Sequence, residues 1–233
     1  MLAALTAIAA IPLAANIVWK PKQGASYNYK SHAVFHRVQG PTGTVDITFD
    51  EKMVATTKEI QSNGNVVVET KHNDFKVLLG EVDAIAMGAP IPKEINETVV
   101  EKPNGEIISI TSDAPREMQS PRMDAISSFI YPGKQVSIGD TWSHSVKGER
   151  AKATFDTVVT FKYVAQETVG SMPAFKIEMD YKETNAPTNI TATGTFWVAQ
   201  SDGELLKAQI AVKNADVGGG MPPADGDLSV ERI

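Results

Sequence analysis

The chain has 233 residues, 42% hydrophobic and 21% charged, with 22 Lys plus Arg against 28 Asp plus Glu and a formal net charge of −6. That length and apolar content supply a sizeable core and exclude wholesale disorder. With no basic block there is no surface to neutralise phosphates, which excludes nucleic acid as a partner; without cysteine there are no disulfides, thiolate metal sites, cysteine nucleophile or lipid anchor on an N-terminal cysteine.

Met1 to Ala15 reads MLAALTAIAAIPLAA, and the first charged residue is Lys20. A short apolar stretch ending in small residues is the pattern of a secretory signal peptide. Residues 1–15 are therefore expected to be a signal peptide cut after Ala14 or Ala15, leaving a mature chain that begins near Asn16 in the periplasm or outside the cell. Membrane contact is expected only through this segment. Its alanine content and Pro12 argue against a permanent anchor. The pattern is departed from at one point: no Lys or Arg follows Met1.

From Ala25 onward the hydrophobic period is two. Phe175, Ile177, Met179 and Tyr181 alternate with Lys176, Glu178, Asp180 and Lys182. Phe155, Val159, Phe161 and Tyr163 do the same, as do Val45, Ile47 and Phe49, and Leu206, Ala208, Ile210 and Val212. Such sets lie on opposite faces of an extended strand, one wet and one dry, as antiparallel sheets permit. Turn residues separate the runs at Pro41-Thr42-Gly43, Asn63-Gly64, Asn104-Gly105 and Asp202-Gly203. Strands are predicted near 25–38, 43–60, 65–79, 96–101, 106–112, 141–147, 152–166, 173–183, 189–200 and 204–213, with 80–95 a loop.

One segment has helical spacing. Met123, Ile126, Phe129 and Ile130 fall on one face over 120–130, with Ser120 as the expected cap, Pro121 in the first turn and Tyr131-Pro132-Gly133 ending it. The predicted fold class is mostly β: a curved antiparallel sheet or open half-barrel with this one short helix on its concave face. Residues 25–213 read as a single antiparallel β domain. Residues 214–233 read as a flexible tail around Gly218–Pro223 or a last strand.

No motif for catalysis stands out. His32 and His36 lie about 13 Å apart if both are in a strand, unlike the helical spacing that shares a zinc. His72 and His144 are isolated, and Asp50-Glu51 and Glu81/Asp83 read as solvated acids near strand ends. No serine sits in a G-x-S-x-G elbow, and Gly218-Gly219-Gly220 opens no helix. The expectation is no enzyme, no metal and no cofactor, with an unrecognised hydrolase as an outside alternative.

The most specific stretch is Tyr131-Pro132-Gly133-Lys134-Gln135-Val136-Ser137-Ile138-Gly139-Asp140-Thr141-Trp142. It resembles a group of uncharacterised bacterial exported proteins, in which a proline segment leads through a G-D-x-W entry into a strand meander. The overall layout resembles the lipoprotein-carrier (LolA/LolB-like) half-barrels of the bacterial envelope. That likeness implies a sheet and helix enclosing an apolar groove, here lined by Met123, Ile126, Phe129, Ile130, Phe155, Phe161, Phe175 and Met179. The expected partner is then an apolar small molecule such as a lipid. The rival expectation is a structural or protein-interaction module of the envelope whose core is filled by the same bulky residues, with Trp142 a core anchor.

Overall fold

The computed structural model describes residues 14–40, 43–115, 120–149, 154–217 and 221–233. Its strands are β1 (Ser26–Gly40), β2 (Gly43–Ile60), β3 (Val66–Leu79), β4 (Val82–Asp83), β5 (Glu94–Glu101), β6 (Ile107–Ser112), β7 (Thr141–Val146), β8 (Asp156–Val169), β9 (Met172–Thr184), β10 (Thr191–Ala199), β11 (Leu205–Ala215) and β12 (Ala224–Arg232). The one described helix, α1, is Pro121–Ser127. Residues 1–13 of the expected signal peptide and Gly218–Gly220 of the expected flexible segment lie outside the described residues.

All the strands belong to one antiparallel sheet, in the order β6-β5-β3-β2-β1-β12-β11-β10-β9-β8-β7, with β4 paired to the end of β3. Two hairpin meanders, β1–β6 and β7–β12, are joined side by side by the β1–β12 pair. The sheet does not close into a barrel: its edges, β6 and β7, are consecutive in sequence and are linked by the crossover that carries α1.

Of the two readings of residues 214–233, the last strand is the one the fold contains. Residues 224–232 form β12, an interior strand hydrogen-bonded to β1 on one side and β11 on the other, so the domain extends well past residue 213. The loop expected over 80–95 holds the two-residue strand β4 and turns.

Alternation sets the two faces. Phe161 and Tyr163 of β8, and Phe175, Ile177, Met179 and Tyr181 of β9, point into the interior. Lys176, between two of them, lies on the other face over the Trp197 ring. Asn63-Gly64, Asn104-Gly105 and Asp202-Gly203 turn the chain, each with its glycine at positive φ. The apolar face is covered by α1, by residues 128–136 and by the segment that precedes β1: Ala15, Ile17, Ile126, Ile130 and Val136 join Phe35, Ile47, Phe161 and Phe196 in one cluster.

Helix α1 is short because its ends are set locally. Pro121 opens it, and Ser128 leaves it in extended conformation. Ser120 stands at the cap position, but its side chain makes no capping bond; its carbonyl instead accepts from Met123 N and Asp124 N at 2.8 and 3.1 Å.

The segment before β1 is built into the fold. Ala15 and Val136 exchange backbone hydrogen bonds of 2.7 and 3.0 Å, Ile17 is fully buried, and Lys20 N donates to Asp202 O at 2.7 Å. A cut after Ala14 leaves the Ala15 bridge in place, whereas a cut after Ala15 removes it. Gly203 shows how tightly this segment seats: it has φ +81, and a Cβ there would lie 2.2 Å from Val18 O. Gly203→Ala is expected to cost about 2 kcal/mol through the strained backbone and the displaced segment. Urea unfolding and tryptic cleavage after Lys22 measure this; unchanged stability and unchanged resistance would count against the contact.

Candidate functional site

The residues expected to line a groove are mostly core. Ile126, Ile130, Phe161, Phe175 and Met179 are buried in the main cluster, with Met123 and Phe129 packed half-buried against it. Phe129 fills the space between crossover and sheet. Its ring centroid lies 4.8 Å from that of Tyr131, 5.2 Å from Phe161, 5.6 Å from Phe196 and 6.3 Å from Trp142. Ring pairs at these separations combine area burial with favourable edge-to-face contact. Trp142 is a core anchor, donating from Nε1 to Ile130 O at 2.7 Å.

Phe155 does not join the cluster and corrects the expected strand 152–166: β8 begins at Asp156, and the Phe155 ring lies under the Arg122 guanidinium, 5.0 Å away. Of the four residues expected on one helical face, Met123 and Ile126 lie in α1, while Phe129 and Ile130 follow it in the crossover. Tyr131 and Val136 of the crossover, and Ile17 before β1, complete the cover.

A buried ion pair anchors α1 on the sheet. Arg122 Nε donates to Glu183 Oε1 at 3.0 Å, and Arg122 Nη2 to Glu183 Oε2 at 2.5 Å. The Glu183 side chain is 1% exposed and also accepts from Ile190 N at 2.9 Å. Arg122 Nη2 donates onward to Thr188 O at 2.7 Å. This bidentate geometry satisfies a carboxylate that burial alone would make costly.

A titratable cluster that the sequence reading missed lies near α1. His72 Nδ1 of β3 lies 2.9 Å from Glu51 Oε2 of β2, with Glu97 of β5 and Asp124 of α1 close enough to act on the same imidazole. Burial, reinforced by the Glu97 charge and opposed by His72, pushes the Asp124 carboxyl up to about 7. Burial also raises Glu97. Burial works to lower His72, but its bond to Glu51 and the surrounding carboxylates outweigh that and raise it.

A signal for these acids existed. In Ile95-x-Glu97-x-Val99-x-Glu101 two carboxylates stand in the register of the buried Ile95 and Val99. Glu101 is likewise pushed up to about 7, by burial and then by the Glu204 charge. Glu204 in turn accepts from Trp19 Nε1 at 2.9 Å. Asp50-Glu51, expected near a strand end, instead sits mid-strand at a bulge in β2. The arrangement can take up and release protons near neutrality in the interface between helix and sheet.

The opposite face, by contrast, is hollow, as a twisted sheet allows. An open recess of about 900 Å³ runs across β1, β12 and β11 to β7 and is lined by His32, His36, Thr160, Thr195, Gln209 and Asp227 among others. Met179 is the one expected groove residue along it. His36 Nε2 lies 3.1 Å from Asp227 Oδ2 and its Nδ1 3.5 Å from Asp46 Oδ2; the bond to Asp227 contributes most to raising the imidazole. His32 Nδ1 lies 2.6 Å from Asp50 Oδ1. Among the described residues no group of three or more His, Cys, Asp or Glu is placed to hold a metal ion.

No protein-family model matches the chain, and no curated protein matches it. Solved structures similar to it include the hypothetical lipoprotein YmcC of Escherichia coli, at 12% identity and TM-score 0.36, covering 90% of this chain and 88% of that one. A Bacteroides fragilis protein described as exported and YmcC-like in fold is 10% identical at TM-score 0.36, covering 93% and 99%. DynF of the dynemicin pathway in Micromonospora chersina is 10% identical at TM-score 0.26, covering 96% and 86%. Superpositions this loose carry no inference about what this chain binds or where it resides.

Proposed function

We propose that this chain is an exported, non-enzymatic protein-interaction module of the bacterial envelope, with a filled core and a hydrophilic binding face. The observation that carries the reading is Phe129, whose four ring neighbours occupy the space an acyl chain would need. The outer recess supports it from the other side: hydroxyl, amide, imidazole and carboxylate groups line a hollow that suits a polar partner. Export is supported by the uncharged apolar run ending in Ala14-Ala15.

A photo-crosslinking residue in place of Thr195 or Gln209, introduced in the native host, tests the reading. The expected result is one discrete protein adduct from recess positions and none from Lys182, on the rim of the sheet. No adduct from either recess position, or the same adducts from Lys182, would sink it. Holding a lipid between helix and sheet is the second reading, favoured only by the apolar character of that interface; it requires the crossover to move.

A further inference from the structure

The two edge strands border the open seam of the sheet and carry nothing that would repel a further strand. β6 reads IISITS and β7 reads TWSHSV, and neither contains Lys, Arg, Asp, Glu or Pro. Exposed edges are usually blunted by such residues. The bulge that sets Ile108 aside in β6 leaves 109–112 in regular register. Among the described residues β6 pairs only with β5 and β7 only with β8. Side chains rather than backbone span the seam: His144 Nε2 of β7 lies 3.6 Å from Glu106 Oε2, just ahead of β6. The crossover pins the seam at the start of both strands, with Tyr131 N donating to Asn104 O at 2.8 Å and Trp142 Nε1 to Ile130 O at 2.7 Å.

Direction decides what the seam can take. Eleven strands lie along the sheet, each antiparallel to the next, so β6 and β7 run the same way. Pairing them directly would put one parallel ladder into an antiparallel sheet. One strand laid between them, antiparallel to both, would complete an antiparallel ladder on each side. We propose that this seam is a β-strand acceptor, binding one extended segment of a partner protein between β6 and β7 and antiparallel to both. Main-chain hydrogen bonds to two edges hold the segment, and its alternate residues choose the partner. Its inward residues are uncharged, because Ile110 and the buried Trp142 flank them, whereas its outward residues lie beside Thr111 and Ser145. A second copy has no such strand to give, since every described strand is already paired in its own sheet. The seam also stands apart from the outer recess, which neither Thr111 nor Ser145 lines, so the two readings fail separately.

Photo-crosslinking residues placed singly at the exposed Thr111 and Ser145 of the full chain, in the native host, test it. The expected result is the same adduct from both edges, with fragment spectra mapping both crosslinks to one stretch of about six residues in a single partner. Thr111→Lys puts a charge on the β6 edge and is expected to abolish the Ser145 adduct while moving the thermal midpoint by no more than about 2 °C. Thr111→Val leaves the edge uncharged and is expected to keep that adduct. Adducts from one edge only, different partners at the two edges, a second copy of this chain as the adduct, or none at all, would each overturn the proposal. So would a Ser145 adduct that survives Thr111→Lys. An adduct from Thr195 with none from the seam would remove this inference and leave the recess reading standing.

Discussion

Replacing Arg122 with alanine is expected to destabilise the protein by about 3–5 kcal/mol, the usual cost of stranding one member of a buried ion pair. Glu183 is left 1% exposed with Ile190 N as its remaining donor, the Thr188 carbonyl loses its partner, and Phe155 loses the cation over its ring. For a chain of this size that corresponds to a midpoint lower by about 10 °C. Arg122→Met with Glu183→Gln is expected to recover most of the loss, because it removes the stranded charge. Thermal and urea unfolding of the parent, Arg122→Ala, Arg122→Met, Glu183→Gln and the double variant measure the loss and the coupling. A single-variant loss below about 1 kcal/mol, the range of an exposed pair, would contradict the buried-anchor description.

Phe129→Ala should be nearly as damaging, at about 3 kcal/mol, because it removes a ring from among four others and leaves a void that rigid strands cannot close. It should also create what the parent chain lacks, a dry apolar pocket between crossover and sheet. An environment-sensitive apolar dye is expected to bind the variant at pH 6 and to bind the parent far more weakly. Equal binding by both would mean that the interior is already open.

Much of the architecture was readable from local pattern, because a strand with one wet face must alternate. Phe175 to Tyr181 and Leu206 to Val212 show that alternation and lie in β9 and β11. β12 was hard to read for a physical reason. Its first half, Ala224-Asp225-Gly226-Asp227, is small and polar because it passes close to β1: a Cβ on Gly226 would lie 2.6 Å from Val34 O and 2.7 Å from Phe35 Cδ1. A strand selected for close approach carries no hydrophobic period.

The titratable cluster was out of reach for another reason. Glu97 in an apolar register is visible in the sequence, but its meeting with Glu51, His72 and Asp124 depends on the registers of three strands and the placement of one helix. Groove lining and core filling draw on the same residue types. Only the ring positions around Phe129 separate them.

Native mass spectrometry of protein gently purified from its host near pH 6, followed by organic extraction of the same sample, tests the filled interior most directly. The account predicts the mass of the bare polypeptide and no stoichiometric lipid in the extract. A lipid bound one to one, retained by the parent chain and lost on Ile126→Asp, would contradict it.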